Sequence, residues 1–408
     1  MTEKKNVPAI RFSEFTDVWK RCKFGELYEK VSRKNDLTYG RDDIISVANM
    51  YYKHDSHITE NSYLLTYNVF ELGDIAFEGN KNKNFAHGRF VENTIGNGIV
   101  SHVFDVFKPI MPEYDLLFWK YLINNERVMG SILVRSTKAS TMMTNLVAND
   151  FLQESILVPS YPEQQKIGAF LDNLDTLISL HQRKYTKLMN IKKSMLEKMF
   201  PKNGENVPEV RFAGFTGEWE RRKFSDLVDT RRGLTYSPDD VSDFGVRILR
   251  SSNIDEDTFV LKEDDVFVSP DAVNIDYAKN GEILITAANG SSRLVGKHAL
   301  ISGIAEDTTV HGGFMLIGST EYPEFMNASM SSTWYKRFID VYVAGGNGAI
   351  GNLSKSDLDE QIIFVPSDDE KKKIGTFFAS LDGLISLHQR RLEKLKNIKS
   401  ACLEKMIV

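Results

Sequence analysis

At 408 residues the chain is long enough for two or three domains, and 42% hydrophobic with 26% charged residues is the balance of an ordinary water-soluble protein. A net charge of −5 excludes reading nucleic-acid binding from bulk charge, so any such role must come from local basic patches or from a partner. No apolar run could span a bilayer, the opening MTEKKNVPAIRF lacks a signal-peptide core, and Cys22 and Cys402 make no metal-type spacing. These features predict a cytoplasmic protein with no membrane partner.

In chain order, the first feature is VPAIRFSEFTDVWKRCKFGEL at 7–27, which returns at 207–227 as VPEVRFAGFTGEWERRKFSDL with 11 identities in 21. Next comes ELGDIAFEGN, a turn followed by a strand and a Gly/Asn loop; its counterpart, KNGEILITAANG, lies 208 residues on. EYDLLFWKYLINN at 113–125 has helical apolar spacing and is expected to pack on a sheet. QESILVP then reads as a last strand stopped by Pro159, as does DEQIIFVP before Pro366. Each of these segments leads into the most similar pair of all, residues 158–200 and 365–407, with 26 identities in 43 and no gap. The heptapeptide LISLHQR occurs in both copies.

The order is therefore variable, constant, variable, constant, with expected boundaries at 1–157, 158–200, 201–364 and 365–408. The variable parts read as mixed α/β (α+β) domains. The constant parts read as helices, with apolar steps of three and four from Leu174 through Ile178 and Leu188, and from Leu381 through Ile385 and Leu395. Such near-heptad seams want a facing helix. Two similar seams of equal length make an antiparallel coiled coil; the alternative is two separate amphipathic helices, each on its own domain. His181 and His388 share one seam position, where a polar residue fixing register explains them better than catalysis.

These blocks resemble the DNA-specificity subunit of type I restriction–modification enzymes over essentially the full chain. The resemblance rests on VPSYPEQQKIGAFLDNLDTLI and its copy, on VPxxRFxxFxxxW opening each half, and on the G-[DE]-I strand. The second copy departs from the pattern at DEKKKIGTFFASLDGLI. The resemblance implies two globular target-recognition domains in pseudo-twofold relation, joined by two long helices in an antiparallel coiled coil. Each domain would read one half of a bipartite double-stranded DNA site. The helices would space the domains and dock two methyltransferase subunits, with endonuclease/translocase subunits joining that core. The duplication then has a reason: one chain offers the same docking segment twice to two copies of one partner.

Signs of chemistry in the chain itself are few. There is no G-x-x-x-x-G-K-[ST] loop and no Asn-Pro-Pro-aromatic segment. Pro270, Asp271 and Glu282 approximate a nuclease motif, but Leu284 stands where its lysine should be. His54 and His57 lack further ligands. The expectation is a non-catalytic subunit without cofactor, S-adenosylmethionine, ATP and Mg belonging to its partners. The alternative is a self-contained DNA-modifying or DNA-cleaving enzyme with unrecognised motifs.

Base reading needs donors that reach the major-groove edge, and polar loops beside a rigid sheet are where such residues belong. In the first half the candidates are Arg33, Lys34, Lys83, Arg89, Lys138 and Thr141. In the second they are Arg231, Arg232, Asn289, Arg293, Lys297 and Asn347. The helix tails are basic as well: residues 181–200 carry six Lys/Arg against one Glu, and 388–408 six against two. A solvated helix face explains such a run as readily as contact with DNA or an acidic docking surface. The seam from Leu174 to Met199 would be roughly 39 Å long, close to one turn of B-DNA at about 34–36 Å.

Overall fold

The computed structural model describes residues 7–53, 60–139, 143–202, 204–343 and 351–408. It forms two compact units, Met1–Gln182 with Arg390–Val408, and Arg183–Gln389.

The first unit is built on a four-stranded antiparallel sheet in the order Tyr28–Val31, Val106–Pro109, Ile75–Glu78, Arg89–Glu92. Ile75–Glu78 is buried at all four residues, as its apolar run requires. The turn before it explains the G-[DE]-I signature. Gly73 has φ +89°, a conformation that only glycine adopts cheaply, and the Asp74 carboxylate accepts the Glu71 N–H at 2.8 Å. The second unit repeats both features, with Gly281 at φ +90° and Glu282 accepting the Lys279 N–H at 2.8 Å. The helix expected from EYDLLFWKYLINN is Leu116–Ile123; Asp115 caps it through the Phe118 N–H, and Phe118, Trp119 and Leu122 are buried.

The second unit has the matching sheet, Asp229–Arg232, Met315–Ser319, Ile283–Thr286, His298–Leu300. It adds a sheet ordered Val241–Ser242, Val266–Val268, Val246–Leu249, Thr309–His311, whose last pair is parallel. The last strands foreseen before each helix, Ser155–Val158 and Ile362–Val365, pair antiparallel with Lys20–Lys23 and Glu220–Lys223. The opening block of each half is thereby fastened to the start of its constant block.

A second fastening is ionic. Arg11 holds the fully buried Glu163 carboxylate through Nε at 2.6 Å and Nη2 at 2.7 Å, and Arg211 holds Glu370 at the same two distances. This bidentate geometry is the reason Arg and Glu recur in the two repeated blocks.

The long helices run Tyr161–Lys198 and Asp368–Lys405, 38 residues each. At 1.5 Å per residue each is about 57 Å long. They begin well before the seam at Leu174, and Gly168 and Gly375, eight residues in, let each lie close against a neighbouring helix start. A Cβ at Gly168 would come within 2.6 Å of the Phe118 nitrogen, and one at Gly375 within 2.9 Å of the Phe325 nitrogen.

Each unit takes the beginning of one long helix and the end of the other. In the first, Leu174 is buried in a core that also holds Cys402, Met406 and Ile407, with Leu395 packed on it. In the second, Leu381 is buried with Met199 and Phe200, and Leu188 packs alongside. Asp175 meets Lys399 at 2.5 Å in one unit; Asp382 meets Lys192 at 2.8 Å in the other. These are one pair in two copies, since 207 residues separate Asp175 from Asp382 and Lys192 from Lys399. In the second unit the contacts Lys192–Asp382 and Phe200–Phe378 show the antiparallel direction, rising along one helix while falling along the other. The alternative of helices packed only on their own domains therefore fails. Ile385 is buried, while Ile178, His181 and His388 are half-buried along the same seam.

Candidate nucleic-acid interface

In each unit the described parts of the loops singled out from sequence gather at one end of the main sheet. In the first, residues 32–40 leave the end of Tyr28–Val31, and residues 79–88 join Ile75–Glu78 to Arg89–Glu92. A hairpin, Thr137–Ala139 with Thr144–Leu146, closes over them, its Thr144 N–H donating to the Gly79 carbonyl at 2.8 Å. A Cβ on Gly79 would lie 2.1 Å from the Thr144 carbonyl oxygen, so glycine is what permits this approach. The second unit uses the same latch, Leu353 N–H to the Ala287 carbonyl at 2.7 Å, beside the short pair Ala288–Asn289 with Gly351–Asn352.

The individual candidates divide by what their side chains touch. Arg33 is bound to Glu71 and Asp74, and Arg231 to both oxygens of Glu282 at 2.7 Å. These arginines brace equivalent turns. Arg89 donates to Glu78 and to the Ala48 carbonyl, both at 2.7 Å, and lies over the Phe85 ring. Lys34 bridges the Thr66 carbonyl and Asn68 Oδ1. Asn289 donates to Ser251 Oγ at 2.9 Å and accepts the Ser291 N–H at 2.9 Å, which makes it a strut of its loop.

By contrast, Lys83, Lys138, Arg232 and Arg293 are exposed and have no ion-pair partner among the described residues; Lys297 is half-buried and equally unpaired. Thr141, Asn347, His54 and His57 lie outside the described residues. Two residues outside the candidates drawn from sequence also reach the second cluster. Arg250 follows the buried strand Val246–Leu249, and Phe314 sits 74% exposed in the turn before Met315–Ser319.

The nuclease-like acids do not converge. Glu282 is committed to Arg231 and Ser319, Leu284 is buried in the core, and Asp271 is exposed on another loop. Burial would raise the Glu282 carboxyl, but the hydrogen bonds from Arg231 and Ser319 outweigh it and hold the group below its ordinary range. Among the described residues no three His, Cys, Asp or Glu side chains are grouped to hold a metal, and no described helix is long and apolar enough to cross a membrane.

A duplicated α+β scaffold with one loop cluster per unit and paired long helices defines a two-module protein. The chain belongs to the type I restriction modification DNA specificity domain family, whose model matches it twice, at residues 17–190 and 217–397. It is 22% identical over 294 residues to the type I restriction enzyme MjaVIII specificity subunit of Methanocaldococcus jannaschii, covering 68% of this chain and 67% of that one. Its fold is similar to the type I restriction–modification S subunit from M. genitalium, with TM-score 0.58 and 13% identity over 98% of this chain and 99% of that one. The HsdS subunit from Thermoanaerobacter tengcongensis aligns at TM-score 0.44 and 13% identity, over 95% and 96% of the two chains. The protein is a DNA-sequence-recognition subunit of the type I restriction–modification class.

Proposed function

We propose that each loop cluster reads one half of a bipartite double-stranded DNA site, and that the long helices dock two methyltransferase subunits. The observation that carries this reading is the contrast between repeats: the helices keep their sequence, while loops in equivalent places differ. A constant partner requires constant helices; two unlike half-sites require unlike loops. Lys83 and Lys138 in the first cluster, and Arg232, Arg293 and Lys297 in the second, are the donors left exposed or unpaired for DNA.

The chain itself performs no catalysis in this reading. S-adenosylmethionine belongs to the methyltransferase partners, and ATP and Mg to endonuclease/translocase subunits. Commitment of Glu282 to Arg231 supports this over a self-contained nuclease. Two experiments test the proposal. Replacing residues 28–157 by the matching segment of a relative, in the complex with its methyltransferase, should change one half of the methylated site and leave the other intact. A joint change of both halves would sink the two-reader reading. Methyl transfer or cleavage by the pure chain without partners would overturn the non-catalytic one.

A further inference from the structure

An open pocket of about 780 Å³ lies in the second unit where the loop after Asp229–Arg232, the end of Val246–Leu249, the Ala288–Gly290 loop and the Gly312–Met315 turn meet. Its walls are largely apolar, with Leu234, Tyr236, Val241, Phe314 and Met315 among them. Arg250 lines it and is the one arginine there. The Nε of Arg250 is buried without a hydrogen-bond partner, and no described residue pairs with its guanidinium. Its backbone, in contrast, is pinned, the Arg250 N–H donating to Asn253 Oδ1 at 2.8 Å. Beside it, Ser251 Oγ accepts from Asn289, so the neighbouring polar group is already occupied.

An arginine with a fixed root and an unanswered head is costly to keep half-buried, unless an acceptor arrives from outside. Gly312 and Gly313 keep the space open. A Cβ at Gly312 would lie 3.2 Å from Ile248 Cγ2, and one at Gly313 would lie 3.2 Å from Thr235 Oγ1. Phe314 presents its ring at the rim, 74% exposed.

We infer that Arg250 is the guanine-reading residue of the second recognition unit, its guanidinium pairing with O6 and N7 of one guanine at the mouth of this pocket. The inference rests on the DNA-reading function proposed above and deepens it. A base edge suits the pocket better than a phosphate does. A phosphate is strongly hydrated, and apolar walls would strip that water while offering one arginine in return. A guanine edge offers two acceptors spaced for the guanidinium fork, and the apolar surround is compatible with bases and thymine methyl groups.

The test uses the complex reconstituted with its methyltransferase subunits, on a DNA library randomised across the mapped target site. With Arg250→Ala, preference for one G·C pair should fall about 10- to 100-fold, within the half-site that residues 201–364 determine. The other positions and the other half-site should keep their preferences. Arg250→Lys should lose the same preference while retaining charge, because an ammonium cannot pair bidentately. This variant also serves if the alanine form fails to fold. A uniform loss across all sequences identifies a phosphate contact and overturns the inference, as does unchanged preference in both variants. If the wild-type complex shows no preference assignable to residues 201–364, the functional reading beneath it fails instead.

Discussion

Where the first unit has Asp74, the second has Glu282, and each carboxylate closes the turn before the central strand and faces an arginine from the edge strand two places away in the same sheet, or from the loop that leaves it. The two groups nevertheless sit on opposite sides of their ordinary values. Burial pushes the Asp74 carboxyl up to about 6, against the Glu71 N–H and the Arg33 guanidinium, and the adjacent Glu71 charge adds to the rise. Glu282 is held low because both its oxygens meet Arg231 and Ser319 adds a third donor. In the first unit Arg33 is shared between two acids, whereas in the second Arg231 serves one. One repeated turn thus carries two electrostatic solutions, and the fold depends on the turn rather than on the charge balance.

The largest expected effect lies in what the units share. Glu163→Ala or Glu370→Ala would leave a mostly buried arginine without its carboxylate, a change that costs about 3–5 kcal/mol. Hydrogen exchange resolved by unit should show each substitution loosening its own unit first. Equal loosening of both units by either substitution would mean that the two fastenings are not separate.

Glu282→Gln comes next, at about 1.5–3 kcal/mol for a lost charge-assisted pair. The two acids should then separate by pH. The folded value of Asp74 lies above the unfolded one, so the folded state binds more protons between about pH 4 and 6. On acidification from pH 7 toward 5 this group therefore adds stability to the first unit. Glu282 is depressed, so its contribution is present above the unfolded value and is lost only as pH falls below it toward the folded one. Unit-resolved exchange at pH 7 and 5 should show the first unit gaining from Asp74 and the second unchanged by Glu282. Asp74→Asn should lower the first unit's gain without abolishing it, because burial also holds the Glu92 carboxyl of that unit above its ordinary range. A gain unchanged by this variant would assign all of it to other groups.

The same contrast shows which parts of the molecule were legible in sequence. The duplication, the central strands, the Leu116–Ile123 helix and the long helices all carry periodic or repeated signals, and all are found. The loop clusters were legible as places, because Gly and Asn mark where strands end. Their readers were less so. Arg33, Arg89 and Arg231 have the right residue type in a loop or at the strand end beside one, but acids elsewhere in the chain claim them, and single-sequence reading cannot see that pairing. Arg250 was hidden for a different reason: it follows a buried strand directly and lies outside the Gly-marked loops. Arg11 and Arg211 did recur in both copies, and that recurrence was a usable hint of their buried partners.

The loop arginines sharpen this point. Arg293→Ala should relax preference at one base pair by about 1–3 kcal/mol if the residue reads guanine, or weaken binding to all sequences alike if it meets phosphate. Arg89→Ala should instead lower the stability of the first unit by about 1–2 kcal/mol, through the lost Glu78 and Ala48 bonds. Altered base preference without any loss of stability would show that Arg89 leaves Glu78 to contact DNA.

The smallest effect divides the two copies of the helix ion pair. Lys399 meets Asp175 at 2.5 Å with both side chains about a quarter to a third exposed, so solvent screens the pair. Lys192 is 10% exposed and faces two acids, Asp382 at 2.8 Å and Asp257 at 3.2 Å. The second acid comes from the variable part of the second unit, so this copy of the pair also ties helix to recognition module. Both acids around Lys192 are themselves more than a third exposed, which keeps the gain modest. Double-mutant cycles should give a coupling of about 0.5 kcal/mol for Lys399 with Asp175, and about 1 kcal/mol for Lys192 with Asp382. Added salt should weaken the Lys399 coupling more, because the better-buried ammonium is less open to screening. Equal couplings with equal salt dependence would show that burial at Lys192 does no more than its copy, and that Asp257 is a bystander.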